Sequence, residues 1–120
     1  MQQTLEELED WIKILKERGI PIIVEGKKDK AALNELGITN IITIEGPLYQ
    51  MVESIASKHK RVMILTDLDP EGKKLYSVLK KDLSFHGVKI DDKFREFLFR
   101  KTKLRQIEGM NTYLEKLHRL

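Results

Sequence analysis

Residues 61–72 read Arg-Val-Met-Ile-Leu-Thr-Asp-Leu-Asp-Pro-Glu-Gly, and this stretch decides the fold. Its first six residues are mostly apolar and predict a strand over 61–66 that is buried on both faces, as in a parallel sheet. Two aspartates follow the strand, and Pro70 stands where a helix over 71–84 would begin, because proline suits the first turn of a helix. The stretch therefore predicts a strand, an acidic turn and a helix in succession.

The same alternation continues on both sides of this stretch. Short apolar, β-branched runs predict three further strands, over 21–25, 40–44 and 88–90. Helical spacing of apolar residues and the positions of Gly and Pro predict further helices over 3–18, 28–36, 48–58, 91–101 and 107–119. Strands that alternate with helices in this way predict an α/β fold with about four mostly parallel strands between helices.

Length and composition limit what kind of protein this is. The 120 residues fit a single domain over 1–120, with a core at 20–90, a flanking N-terminal helix at 3–18 and a basic helical segment at 91–119. The chain has no cysteine, which excludes a disulfide scaffold, a thiolate zinc site and a cysteine nucleophile. No apolar run approaches the ~20 residues of a membrane span. We therefore expect a cytoplasmic protein without a membrane contact.

Three carboxylates are predicted at the carboxyl ends of strands, where open α/β sheets bind their ligands. Glu25 ends the first strand, and Asp67 and Asp69 follow the third. If the two strands are neighbours, the three acids meet, and their repulsion raises the pKa of one or more of them. A hard cation such as Mg²⁺ relieves that repulsion and can act on a phosphodiester. Taken singly, each acid is also explained as a helix N-cap or a solvated loop charge, and Asp69 before Pro70 suits a cap.

The acids stand in two short motifs that resemble those of a known family. Val-Glu-Gly-Lys-Lys-Asp at 24–29, followed by Asp-Leu-Asp-Pro-Glu-Gly at 67–72, resembles the Toprim domain of topoisomerases, bacterial primases and several nucleases. The resemblance covers about residues 20–90 and implies a Toprim-like Rossmannoid sandwich. The motifs look most similar to the ribosomal-RNA-maturing (ribonuclease M-type) nucleases, to primase-like members and to small stand-alone Toprim proteins. Glu71 and Glu45 depart from the family pattern and add negative charge near the site.

The resemblance implies a role for each matching residue. Glu25, Asp67 and Asp69 would be catalytic and would hold Mg²⁺, or Mn²⁺ in its place. Two further acids would support them, Asp29 and Glu71. A group of small and basic residues would bind the phosphates of the nucleic acid, and it comprises Gly26, Lys27, Lys28, Gly72 and Lys73.

Basic residues are concentrated in the C-terminal half of the chain. From 80 to 105, nine Lys or Arg stand against four Asp or Glu, although the net charge of the whole chain is only +3. Such a segment is either a contact for a phosphate backbone or a solvated helix face. Phe94, Phe97 and Phe99 interleave with its basic residues, and we interpret them as the packed face of a helix in preference to a base-stacking surface.

These observations favour Mg²⁺-dependent phosphodiester chemistry on nucleic acid, as a nuclease acting on RNA or DNA. The alternative is a metal- and nucleic-acid-binding module that acts with a protein partner, or as a homodimer, in a processing or repair complex. A third hypothesis is a phosphotransfer domain of the receiver or haloacid-dehalogenase type. Those folds place a nucleophilic aspartate at the end of an early strand, where this chain has Glu25.

Overall fold

The computed structural model describes residues 2–120, along which helices and strands alternate as predicted. The helices are α1 (Gln2–Arg18), α2 (Lys27–Glu35), α3 (Leu48–Lys58), α4 (Pro70–Phe85), α5 (Lys93–Lys101) and α6 (Met110–His118). The strands are β1 (Ile22–Val24), β2 (Ile41–Thr43), β3 (Arg61–Ile64) and β4 (Lys89–Asp91), and a 3-10 turn over Ile107–Gly109 precedes α6. Every predicted element is present, although the last predicted helix begins with that 3-10 turn.

The four strands form one sheet in the order β2-β1-β3-β4, and every neighbouring pair is parallel. Ile23 of β1 pairs with Ile42 on one side and with Ile64 on the other, which fixes the register. The predicted α/β class with four parallel strands is therefore confirmed. Because β1 and β3 are the two central strands, the residues that follow them meet at the same edge of the sheet.

Each face of the sheet carries its own apolar core, because successive strand residues point to opposite faces. Ile22 and Met63 face a core shared with α1, α2, α5 and α6. Ile23 and Ile64 face a second core shared with α3 and α4. A fully buried Leu or Ile contributes about 1.5–3 kcal/mol, so both layers hold the sheet in place. Along residues 2–120, no helix combines the length and the apolarity needed to cross a bilayer.

Helix α5 packs its aromatic face into the first core. Phe94 and Phe97 are buried, and their ring centroids lie 5.5 and 6.3 Å from that of Trp11 on α1. This confirms the interpretation of these phenylalanines as a packed helix face. Phe99 differs from them, because 44% of it is exposed to solvent.

The first turn of α4 lies directly against the carboxyl end of β3. Gly72 is buried there, and a Cβ at this position would lie 2.0 Å from the carbonyl oxygen of Asp67. Its carbonyl oxygen accepts a hydrogen bond of 2.7 Å from the hydroxyl of Thr66, and its N–H donates to Oδ1 of Asp69 at 2.8 Å. The absence of a side chain at Gly72 therefore allows the helix to close the acidic turn at 67–69.

We expect Gly72→Ala to lower the free energy of unfolding by about 3 kcal/mol or more, at the upper end of what overpacking costs. The reason is that the added methyl group would overlap a backbone carbonyl, which has little freedom to move. Gly26→Ala is the matched control, because a Cβ there meets no atom within 4 Å and its φ of −155° is open to any residue. Urea unfolding measures both, and equal losses of stability would contradict the steric role of Gly72.

Candidate functional site

A hydrogen bond between two strand ends positions the first of the predicted acids. Oε2 of Glu25, directly after β1, accepts a hydrogen bond of 2.7 Å from the backbone N–H of Asp67, which follows β3. Since β1 and β3 are neighbours, this bond spans the carboxyl end of the sheet. It places Glu25 beside the turn that carries Asp67 and Asp69.

The segment between α5 and α6 covers the same turn. Oδ1 of Asp67 accepts a hydrogen bond of 2.9 Å from the N–H of Ile107. The N–H of Leu68 donates to the carbonyl oxygen of Arg105 at 2.7 Å. The sequence motifs lie within residues 20–90 and do not reveal this contribution. No sequence signal could have found it, because both bonds use main-chain groups of the covering segment, which any residue supplies.

The buried side chain of Arg95 binds the backbone of the acidic turn. Only 6% of this residue is exposed, and its guanidinium donates to the carbonyl oxygens of Thr66 and Asp67, the latter at 2.9 Å. The guanidinium also lies 4.5 Å from the ring centroid of Tyr76, and burial lowers its pKa. The charge pattern alone predicted that Arg95 is one of the basic residues of a helix face. Its buried position makes it part of the site's framework instead.

The predicted residues at the start of α4 have distinct positions. Asp69 is the N-cap of α4, and its bond to the N–H of Gly72 means that this N–H is already engaged within the protein. Glu71 is exposed in the first turn of the helix. Lys73 is exposed as well, and its Nζ lies 4.4 Å from the ring centroid of Phe99. The cap was the alternative explanation predicted for Asp69 from its position before Pro70.

The second group of predicted residues lies at the start of α2. Asp29 is only 7% exposed, and its Oδ2 accepts a hydrogen bond of 3.0 Å from the N–H of Gly26. This bond satisfies one of the backbone donors that a helix N-terminus leaves open. Lys27 and Lys28 are both exposed to solvent. Asp29 thus stabilises the turn after Glu25.

The environment of the site disfavours full ionisation of its acidic side chains. The pKa values of Glu25, Asp29 and Asp67 are all raised, in each case first by desolvation on burial. Neighbouring acids add to the rise, while hydrogen bonds from backbone N–H groups oppose it. Glu108 in the 3-10 turn raises the pKa values of Asp29 and Asp67, and sequence analysis did not single it out. Proton or cation binding would relieve this repulsion.

The donor chemistry of the site fits a hard divalent cation. Glu25, Asp67 and Asp69 offer only carboxylate oxygens, which Mg²⁺ prefers. Each of them directs one oxygen to a backbone N–H. Within residues 2–120, no three His, Asp or Glu side chains are arranged as a ligand set for a metal. The residues thus match the cation in chemistry, while their side chains are directed at backbone amides and not at one common point.

Comparison with known proteins identifies the class. Residues 20–100 match the Toprim domain. A UPF0292 protein of Methanocaldococcus jannaschii is 34% identical over 120 residues, which cover 96% of this chain and 92% of that protein. A UPF0292 protein of Pyrococcus abyssi is 39% identical over 104 residues, which cover 83% of this chain and 79% of that protein. The chain therefore belongs to the Toprim domain family, and these archaeal UPF0292 proteins are relatives of similar length.

Two solved structures share the fold. A protein from Aquifex aeolicus superposes with a TM-score of 0.78 at 38% identity, covering 85% of this chain and 96% of that one. The Aquifex aeolicus primase, in a structure of its zinc-binding and RNA polymerase domains, gives a TM-score of 0.63 at 25% identity. That match covers 90% of this chain and 26% of the primase. The resemblance to the Toprim family is confirmed, whereas the closeness to ribonuclease M-type nucleases stays a prediction.

In EDTA, we expect the free energy of unfolding to fall as pH rises through the raised pKa values of Glu25, Asp29 and Asp67. The folded protein holds protons at these groups more tightly than the unfolded chain does. Proton binding therefore stabilises the fold at low pH, and this stabilisation is lost as the pH rises through the folded-state pKa values. Asp67→Asn removes one charge and keeps an oxygen for the N–H of Ile107. The variant should therefore be more stable than wild type at neutral pH, with a flatter profile.

Urea unfolding of both proteins from about pH 4 to about pH 8 measures the difference. Using the difference between the two profiles cancels the titration of groups elsewhere in the chain. A profile for Asp67→Asn that is as steep as that of wild type would show that the site's charges do not control it.

Proposed function

We propose that the protein cleaves phosphodiester bonds of nucleic acid with the help of Mg²⁺, and that Glu25, Asp67 and Asp69 form its active site. The observation that carries the proposal is the hydrogen bond from the N–H of Asp67 to Glu25 across the two central strands. It brings a third carboxylate beside the Asp-x-Asp turn. Family membership supports the proposal, since Toprim domains generally bind a divalent metal ion such as Mg²⁺.

The three acids would divide the chemistry between them. Asp67 and Asp69 would hold Mg²⁺, or Mn²⁺, through carboxylate oxygens. When bound, such a cation polarises the phosphodiester and stabilises negative charge on the leaving oxygen. Burial, followed by the charges of Asp67, Asp29 and Asp69, raises the pKa of Glu25. A carboxyl group with a raised pKa is suited to exchange a proton with the attacking water or the leaving oxygen.

Small and basic residues around the acids would receive the phosphate. The space beside Gly26 is open, because a Cβ there would meet no atom within 4 Å. Lys27 and Lys28 are exposed next to it, and Lys73 is exposed at the start of α4. Their positive charges would attract a phosphate to a site that is otherwise acidic.

The finer assignment of substrate rests on resemblance. The motif at 24–29 looks similar to those of ribosomal-RNA-maturing nucleases and of primases, and a solved structural neighbour is a primase. We therefore propose RNA or DNA as the substrate, with structured RNA as the first to test. The expected setting is RNA processing or DNA repair in the cytoplasm.

The alternative function is a module that binds metal and nucleic acid without cutting it. One observation favours it: along residues 2–120, the acidic side chains do not form a ready ligand set. In that case a partner protein, or a second copy of this chain, would complete the site within a larger complex. Metal would then shift thermal unfolding, while no substrate would be cleaved.

We expect wild type to cleave at least one of structured RNA, single-stranded DNA and supercoiled plasmid in Mg²⁺ or Mn²⁺, and not in EDTA. Glu25→Gln keeps an acceptor for the N–H of Asp67 but loses the proton, so the rate should fall roughly 10²–10⁴-fold, as for other general acid–base groups. Asp67→Asn/Asp69→Asn should abolish cleavage, because both expected metal ligands lose their charge.

Glu53→Gln is the matched control, because Glu53 is an exposed acid on α3. This substitution removes one carboxylate charge at a position away from the site. The variant should therefore cleave the substrate at the wild-type rate. Undiminished cleavage by folded Glu25→Gln and Asp67→Asn/Asp69→Asn proteins would refute the active site. If wild type does not cut but metal still raises its melting temperature, the binding module becomes the better explanation.

A further inference from the structure

A large basic groove begins at the acidic site. Its volume is about 1000 Å³, and it extends from Asp69 over the segment that joins α5 to α6. Its lining includes five basic residues, which are Lys101, Lys103, Arg105, Lys116 and Arg119. Asp69 is the one acidic residue among the described residues that line it. The groove therefore combines an apolar lining, which includes Leu104 and Leu117, with five cations and a single described acid at the proposed active site.

Three of these cations form a regular row. Lys101, Lys103 and Arg105 are exposed, whereas the residues between them, Thr102 and Leu104, are buried. Lys101 is the last residue of α5, and the chain becomes extended at Thr102, with φ −130° and ψ 164°. Alternate residues of an extended chain stand roughly 7 Å apart on the same side. We call these three residues the cation row.

The end of the cation row is fixed to the active-site turn. The carbonyl oxygen of Arg105 accepts the N–H of Leu68, and the N–H of Ile107 binds Asp67, as described above. The guanidinium of Arg105 donates to the carbonyl oxygen of Leu104 at 2.8 Å and lies 5.2 Å from the ring centroid of Phe99. A cation that is held in this way loses less freedom when it binds an anion.

The exposed ring of Phe99 lies beside the site and contacts two cations. Its ring carries Nζ of Lys73 at 4.4 Å as well as the guanidinium of Arg105, so it holds cations from α4 and from the cation row together. Cation–π contacts of this kind contribute about 0.5–1 kcal/mol at exposed positions. Lys73 on α4 therefore adds a further cation beside the end of the cation row, at the edge of the acidic turn.

We propose that this groove binds the backbone of a single-stranded stretch of RNA or DNA and leads it into the active site. The inference rests on the proposed function and names the form of its substrate. Cations spaced from the end of α5 along the segment that follows it can contact successive phosphates of one strand, and basic grooves that track a backbone are typical of single-strand binding. The row lies beyond residues 20–100, which match the Toprim domain, so it belongs to the C-terminal segment of this chain.

The test is the binding of fluorescent single-stranded RNA and DNA oligonucleotides, measured by anisotropy in EDTA so that no turnover occurs. Lys101→Gln/Lys103→Gln/Arg105→Gln should weaken binding by more than tenfold. It should also make the salt dependence of log K shallower by about 2, because each phosphate contact on a single strand contributes about 0.7 to the slope. An unlabelled duplex of equal length should compete poorly with the single strand.

The matched control is Lys58→Gln/Lys60→Gln/Arg61→Gln, which removes two lysines and one arginine that are exposed at the opposite, amino end of β3. It should leave affinity and salt slope nearly unchanged. The double variant Lys101→Gln/Lys103→Gln keeps the hydrogen bonds of Arg105 and guards against loss of the fold. It should make the slope shallower by about 1.4.

Several outcomes would overturn the proposal: wild type that binds no oligonucleotide, equal losses in the two triple variants, or a duplex that competes as well as a single strand. Cleavage assays in Mg²⁺ separate this proposal from the nuclease. If wild type does not cut but the cation-row variants alone lose binding, the groove is supported and the nuclease is refuted. If wild type cuts and the cation-row variants bind and cut equally well, the groove is refuted and the nuclease is supported.

Discussion

The backbone of Asp67 is the point at which four separate segments of the chain are joined. Its N–H binds Glu25 at the end of β1, and its carbonyl oxygen accepts from Arg95 on α5. The same carbonyl leaves no room for a side chain at Gly72 on α4. The carboxylate of Asp67 accepts a hydrogen bond from the N–H of Ile107. Each contact constrains the others, because a shift of this one residue would disturb all of them. The geometry of the acidic turn therefore depends on the end of β1 and on three segments from the C-terminal half of the chain.

The contacts that hold the acids come mostly from backbone N–H groups, and this determines the electrostatics of the site. A hydrogen bond from an amide fixes a carboxylate without neutralising it, whereas a nearby lysine would do both. Arg95 contributes a positive charge, but its guanidinium is directed at carbonyl oxygens of the turn. Burial is the first cause of the raised pKa values of Glu25 and Asp67, and the charges of neighbouring acids add to the rise. Such a site has free energy to gain from a cation, and compensation of that charge would favour the approach of a phosphate to the acids themselves.

The sequence predicted those features that follow from periodicity and from strand ends. Apolar runs located every strand, and the rule that parallel strands present their carboxyl ends at one edge correctly brought Glu25 beside Asp67. The features that it did not predict depend on three-dimensional packing. The charge pattern counted Arg95 as a surface cation because pattern alone carries no information on burial. The contacts of Ile107 and Arg105 with the turn use main-chain groups and leave no trace in residue identity. Gly72 was recognised from a motif, but its reason, the close approach to a carbonyl, appears only when α4 is placed on β3.

The acidic turn and the groove draw on two parts of the chain, which are the region that matches the Toprim domain and the C-terminal segment that follows it. Residues 20–100 match the Toprim domain and contain the acids and Arg95. The segment that follows completes the hydrogen bonding of the acidic turn and carries the cation row on its outer side. Because one stretch of backbone does both, its hydrogen bonds to Leu68 and Asp67 also fix the position of the cation row relative to the acids. On the proposed function, the core would supply the chemistry, and the C-terminal segment would determine which strand of nucleic acid reaches it.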